Sequence, residues 1–381
     1  MTTPAPATPP EVQSVIDRRI RPDVQAMQAY VVQDASGMVK LDAMENPYRL
    51  APALQQALGE RLGHLALNRY PDGRIDALRQ ALADQAGLPS DFGMVLGNGS
   101  DELISLLALA CSAPDGGAKP VVLAPTPGFV MYAMSAQLQG LQFVGVPLTP
   151  DFELDVLAMV EALAYHQPAL VYLAYPNNPT AKLWEAASMA RVIAAAAEVG
   201  TLVVVDEAYQ PFSSHSYLDV IRDAPQRHGH VLLMRTMSKF GLAGVRIGYL
   251  LGHAALVAQI DKVRPPYNVS VLNCECALFA LEHAEVYAHQ AASVRSQRQR
   301  LQEALSSFPG LTTWPSDANM ILVRVAGQGD RAHSVFEALK ARRILVKNVS
   351  RMHSLLANCL RITVGTEDEN QQLLAALKEI L

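Results

Sequence analysis

From residue 90 onward, short apolar runs alternate with stretches of helical periodicity. Met94–Leu96, Val121–Ala124, Gln142–Val146, Leu170–Ala174, Leu202–Val205 and Val231–Arg235 are β-branched or apolar runs of strand length. Between them, Asp101–Cys111, Val130–Leu138, Asp155–Ala164 and Glu185–Val199 have helical spacing. Strands alternating with helices predict an α/β fold with a mostly parallel sheet covered on both faces. Upstream, Ala51–Leu62 and Ile75–Ala86 read as helices, Met38–Leu41 as extended, and Glu11 to about Tyr30 as an amphipathic helix. After Val269 the pattern changes. A long helical region runs to about Ser307 with a break near His283. Strands Met320–Val325, Ile344–Val346 and Leu360–Val364 then mix with helices Ala332–Ala341 and Asp368–Ile380. These elements predict a smaller α+β domain, against which the extended N-terminal segment packs. Residues 1–45 are thus expected to be a tail and arm, 46–270 the large domain and 271–381 the small one.

In a parallel sheet, sites gather at the carboxyl ends of the strands. The polar junctions GNGSDE, APTPGF, AYPNNPT, VDEAY and RTMSK are all strand exits, so all can converge on one crevice. Lys239 follows the apolar run Val231–Met234 and two hydroxyls, Thr236 and Ser238, and precedes Arg246. A lysine at the end of a buried strand loses solvation, and its lowered pKa makes it a nucleophilic amine. Hydroxyls and an arginine beside it suit a phosphate. Pyridoxal 5′-phosphate has the matching aldehyde and phosphate. The plainer reading is a strand followed by a surface lysine and a structural arginine.

The other junctions carry similar pairs of readings. Gly97–Asp101 opens a helix, where glycines and free amides accept an anion, or where Ser100 or Asp101 is an ordinary cap. Asp206 at a buried strand end needs a partner, and a protonated ring nitrogen would serve. Tyr209 could reach a ring oxygen, and so could the Asn178 amide from its proline-bounded turn. Phe129 is a candidate to stack on a flat ring, or else a core aromatic. Arg361, set among apolar residues in a strand, faces water or clamps a buried anion.

Composition changes this picture little. The 381 residues are 50% apolar and 18% charged, enough for a large core, and the net charge of −5 comes without long charge runs. Nothing there argues for nucleic acid or an anionic membrane. No apolar run approaches the length of a bilayer span. MTTPAPATPPEV lacks the basic-then-apolar pattern of a signal peptide and is expected to be an unstructured tail. Cys111, Cys274, Cys276 and Cys359 form no metal pattern and read as free thiols in a cytoplasmic protein. His228 and His230 have no further ligand in sight, so no metal is expected.

Taken in order, LDAMENPY (41–48), NRYP (68–71), GNGSDE, YPNNPT, VDEAY, RTMSKFGLAGVRIGY and LRITVGT (360–366) resemble the motif set of the fold-type I pyridoxal-phosphate-dependent aminotransferases. Within them the likeness is to the histidinol-phosphate aminotransferase family. The resemblance spans nearly the whole chain. It implies a seven-stranded, mostly parallel sheet and a smaller α+β domain. It also implies transfer of an amino group between L-histidinol phosphate and 2-oxoglutarate in L-histidine biosynthesis. Lys239 then forms the imine with the cofactor and shuttles the proton. Asp206 pairs with the pyridine nitrogen, Asn178 and Tyr209 bond the ring oxygen, and Phe129 stacks. Ser100, Asp101, Thr236, Ser238 and Arg246 surround the phosphate. Tyr70 resembles the tyrosine supplied by the neighbouring subunit, which implies a homodimer with shared sites. Arg361, Tyr30, Asn46 and Lys347 fall at substrate-binding positions.

The chain departs from that family's usual pattern at several places. Ala181 stands where glycine is common and Met44 where asparagine is common. Lys239 and Arg246 are seven apart, where eight is more usual, and two extra residues precede Phe129. Lys347 stands where arginine is frequent; it keeps the charge and loses the bidentate fork. Threonine-phosphate decarboxylases and aromatic aminotransferases share much of the motif set. A pyridoxal-phosphate-binding regulator would add a DNA-binding module, for which the first 40 residues are too short and too little basic.

Overall fold

The computed structural model describes residues 9–28, 33–111 and 117–381. The chain divides into a unit ending at Ser36 and a unit from Gly37 to Leu381. The first contains helices Pro10–Arg19 and Pro22–Gln25, neither of which buries a residue. The single helix expected from Glu11 to Tyr30 is therefore broken. Pro22 is the reason, because the residue before a proline is pushed out of the helical region, and Arg21 has ψ 137. Tyr30 lies outside the described residues.

In the second unit, strands β1 (Val39–Lys40), β2 (Phe92–Gly97), β3 (Val121–Thr126), β4 (Gln142–Pro147), β5 (Leu170–Ala174), β6 (Leu202–Asp206), β7 (Val231–Thr236) and β8 (Gly248–His253) precede β9 (Leu311–Thr313), β10 (Met320–Val325), β11 (Ile344–Leu345), β12 (Lys347–Asn348) and β13 (Cys359–Thr363). The large sheet has the order β2-β8-β7-β6-β5-β3-β4. Only β8 runs against the others, being antiparallel to both β2 and β7. Hydrophobic patterning misses it, as it misses β9. A second, antiparallel sheet has the order β12-β13-β10-β9, and β1 pairs with β11 in parallel. The extended segment near residue 40 thus hydrogen-bonds to the C-terminal part of the chain. Expected strand 344–346 is observed as β11, one residue shorter, and β12 follows it in a different sheet.

Strand side chains alternate between faces. In β6, Val203 and Val205 pack with Met189, Val192 and Ile193 of helix Ala186–Glu198. Val204 faces the opposite way, with Ile104 and Leu107 of helix Ser100–Ala110. Every residue of β5 and β7 is buried, as a sheet sandwiched between helices requires. Because β2 runs parallel to β3, β5, β6 and β7, the five polar junctions all leave the same edge of the sheet.

One buried ion pair fixes the exits of β6 and β7. The Glu207 side chain is fully buried and accepts from Arg235 Nε at 2.9 Å and Nη2 at 2.8 Å. Ser216 Oγ and the Tyr217 amide also donate to it. Removing the guanidinium would leave an uncompensated buried carboxylate. Arg235→Met is therefore expected to lower the unfolding free energy by about 3–5 kcal/mol, read by urea denaturation of the coenzyme-free protein. A loss below about 1 kcal/mol would place this pair among the weakly contributing surface ones.

Candidate active site

A cavity of about 350 Å³ opens at that edge of the large sheet. It is lined by Ser100, Asp101, Phe129, Asn178, Asp206, Tyr209, Thr236, Ser238, Lys239 and Arg246, all expected from the sequence. Tyr132, Ala43, Glu45 and Ala208 also line it.

Lys239 sits in the π-type turn Ser238–Leu242 directly after β7. Its Nζ donates to the Ala43 carbonyl at 3.1 Å and lies 6.0 Å from the Tyr209 ring centre. Burial, followed by the positive charges of Arg361 and Arg246, lowers its pKa to about 8. Near neutrality a substantial fraction of this amine is therefore unprotonated, whereas a solvated lysine would be almost wholly charged.

Asp206 ends β6 and is 4% exposed. Burial raises its pKa to about 6, against the opposing hydrogen bonds from Tyr132 Oη (2.6 Å) and the Ala208 amide (3.0 Å). Such a carboxylate gains most from a cationic partner delivered into the cavity. Tyr132 is the residue that sequence reasoning missed. It is buried and stacked on Tyr172 with ring centres 4.3 Å apart, and Phe129 meets its edge at 5.6 Å. Its position three residues after Phe129, in the first turn of helix Val130–Leu138, was the available signal.

The anion cradle is built by backbone approach. Gly99 has φ +81°, and a Cβ there would lie 2.5 Å from Arg246 Nη2. The arginine thus crosses close over the start of helix Ser100–Ala110, whose first amides point outward. Arg246 Nη2 bonds Asp101 Oδ2 at 3.2 Å and Nη1 approaches Ser238 Oγ at 3.4 Å. Thr236 Oγ1 donates to Ser238 Oγ at 3.0 Å. Asp101 therefore meets the cradle through Arg246. The seven-residue spacing from Lys239 is closed by left-handed backbone at Gly241 (φ 137°) and Arg246 (φ 59°).

Arg361 on β13 donates to Asn178 Oδ1 at 2.8 Å and to the Asp42 carbonyl at 2.8 Å. The first bond leaves the Asn178 amide nitrogen to donate toward the cavity. Lys347 is the cross-strand partner of Arg361, so both side chains stand on one face of the small sheet. Asn46 is not brought into the cavity lining: its amide donates to Gln290 at 2.8 Å. Tyr70 is 75% exposed and lies outside the cavity of its own chain, stacked on Tyr267 at 4.5 Å. Met44 (φ 52°) and Ala181 (φ 59°) both adopt the left-handed region. That conformation explains why glycine and asparagine are the usual residues at such positions.

Among the described residues no cluster could hold a metal ion, and no helix is long and apolar enough to cross a membrane. All four cysteines are free thiols. The donor set fits pyridoxal phosphate: an amine of lowered pKa, a buried carboxylate, a flat aromatic and a cationic anion cradle line one cavity. Fold and site together define a coenzyme-dependent transferase of the aminotransferase kind.

Comparison with known proteins agrees. Residues 36–377 match the family described as aminotransferase class I and II. The chain is 62% identical over 381 residues, the whole of both chains, to a histidinol-phosphate aminotransferase of Polaromonas naphthalenivorans. It is 64% identical to that of Paracidovorax citrulli over 95% of this chain and 97% of the relative. A solved histidinol-phosphate aminotransferase from Sinorhizobium meliloti, in complex with pyridoxal-5′-phosphate, superposes with a TM-score of 0.80 at 26% identity, covering 95% of this chain and 97% of that one. The chain belongs to the class I and II aminotransferases and, within them, to the histidinol-phosphate aminotransferases.

The lowered lysine pKa sets a pH dependence. Below about pH 8 the amine is increasingly protonated and cannot attack an aldehyde; above it the free base predominates. The rate at which coenzyme-free protein captures pyridoxal phosphate should rise about tenfold per pH unit below that value and level off above it. A rate still climbing at pH 10 would show an ordinary solvated lysine.

Proposed function

We propose that this chain transfers the amino group of L-histidinol phosphate to 2-oxoglutarate, with pyridoxal phosphate as cofactor, in L-histidine biosynthesis. The observation that carries the chemistry is the half-buried Lys239 amine in one cavity with Asp206 and the Arg246 cradle. The substrate assignment follows the relatives named above, and the paired cations Arg361 and Lys347 suit it.

Bound there, pyridoxal phosphate supplies an electron sink beside the carbon that carries the amino group. The Lys239 amine would hold the cofactor through its aldehyde carbon, the aldehyde oxygen leaving as water. Once free, the same amine would be the base and acid that moves the proton between substrate and cofactor. Asp206, its oxygens held by Tyr132 and the Ala208 amide, would pair with the ring nitrogen as an anion. The Asn178 amide and the Tyr209 hydroxyl would donate to the ring oxygen, and Phe129 would pack on the ring. Ser100, Thr236, Ser238 and Arg246 hold the phosphate, with Asp101 steadying Arg246. Arg361 and Lys347 receive the phosphate of one substrate and a carboxylate of the other. Tyr30 and Asn46 are proposed beside the substrate on resemblance alone. So are a homodimer with Tyr70 reaching the neighbouring site, a cytoplasmic location, and the division at residues 45 and 270.

A donor panel tests the reading. With 2-oxoglutarate, histidinol phosphate should be turned over at least about 100-fold more efficiently than phenylalanine, because a site built to bond a phosphate rejects a donor lacking one. Phosphothreonine should release no carbon dioxide. Lys347→Ala should raise KM for histidinol phosphate roughly tenfold with kcat nearly kept. Preference for phenylalanine, or carbon dioxide from phosphothreonine, would replace this proposal with a rival.

A further inference from the structure

The loop of residues 64–73 that carries Tyr70 is held at both ends by one buried carboxylate. Arg61 lies in the last turn of helix Pro52–Gly63, and Arg74 opens helix Arg74–Ala86. Both reach Glu275 on helix Val271–Glu282: Arg61 Nε donates to Oε1, and Arg74 Nε to Oε2 at 3.1 Å. Glu275 is 6% exposed. Two turns further along the same helix, Glu282 accepts from the remaining nitrogens of Arg61. The Arg61 guanidinium also lies over the Phe279 ring, 5.8 Å from its centre. Just before this helix, Tyr267 stacks on Tyr70. The loop's two ends and its tip are therefore fastened to one segment, residues 267–282. Yet Leu67 and Tyr70 at the tip are 63% and 75% exposed. A loop clamped this firmly, with its aromatic tip left in solvent, is organised to present that tip to something outside its own chain.

We propose that Glu275 is a positioning residue for the active site of the neighbouring subunit, fixing the loop that delivers Tyr70 to the coenzyme phosphate there. The inference rests on the shared-site reading proposed above. A carboxylate bridging two guanidiniums fixes both the separation and the direction of the helices that carry them. An amide in its place keeps the shape and loses the charge.

The test uses full-length protein and pyridoxal 5′-phosphate. Glu275→Gln should weaken coenzyme binding about tenfold, with kcat at saturating coenzyme within about twofold of wild type. Unchanged coenzyme affinity would overturn the inference. Glu275→Asp keeps the charge, should weaken binding less, and carries the same test if the glutamine variant does not fold. Hybrid dimers then separate a role in the neighbour from damage at home. In a hybrid of Glu275→Gln with Lys239→Ala, the only competent lysine sits in the Glu275→Gln chain. The loop facing that lysine comes from the other chain, whose Glu275 is intact. Covalent coenzyme capture at that site should return to wild-type affinity. If it stays weak, Glu275 acts within its own subunit and the inference fails. The matching hybrid of Tyr70→Phe with Lys239→Ala tests the parent reading. No recovery there rejects shared sites altogether; recovery there without recovery of the Glu275 hybrid rejects the role of Glu275 alone.

Discussion

A primary amine held largely out of water at the end of a fully buried strand is the constraint on which the rest depends. β7 has no exposed residue, and Lys239, in the turn that follows, lines the cavity and is only partly exposed. With Arg361 and Arg246 adding positive charge nearby, the ammonium form loses ground and the neutral nucleophile gains it. The same dry setting pushes the Asp206 carboxyl up toward neutrality. A cationic aromatic ring entering the cavity would satisfy the acid, and its aldehyde would consume the amine. Each group is costly alone, and one ligand relieves both.

The sheet makes that concentration possible. Its parallel strands end on one edge, so each exit loop contributes one or two side chains to a common space. Three of the eight described non-glycine residues with left-handed backbone lie in the same region. Met44, Ala181 and Arg246 are non-glycine residues with left-handed backbone, and Met44 and Ala181 pack in one small cluster with Tyr209. Their surroundings over-determine them: the Met44 amide bonds Thr363 and its carbonyl accepts from Asn319. The segment from Asp42 to Met44 is thereby held against Arg361 and Lys239, whose donors it occupies in the free protein.

Much of this was legible in the sequence because the informative signals are local. Apolar runs and helical periodicity place most elements to within a residue or two, and the five polar junctions mark the crevice. What was hidden depends on distant partners. β8 escapes because GYLLGH has glycine near both ends and continues a motif that reads as a loop. Tyr132 reads as a core aromatic until Asp206, 74 residues away, supplies an acceptor. Asn46 sits in a motif that points to the site, yet its amide is taken by a residue 244 positions on. The facing of Lys347 and Arg361 is a matter of strand register, and the two arginines that meet on Glu275 come from separate helices. No window of sequence contains either relation.

The central claim is that residue 239 alone forms the covalent bond to the coenzyme. Purified protein incubated with pyridoxal phosphate, reduced with borohydride and mapped by peptide mass spectrometry tests it directly. The account predicts a single phosphopyridoxyl adduct, on Lys239. A product with that lysine unmodified, or with the label scattered over surface lysines, would contradict it.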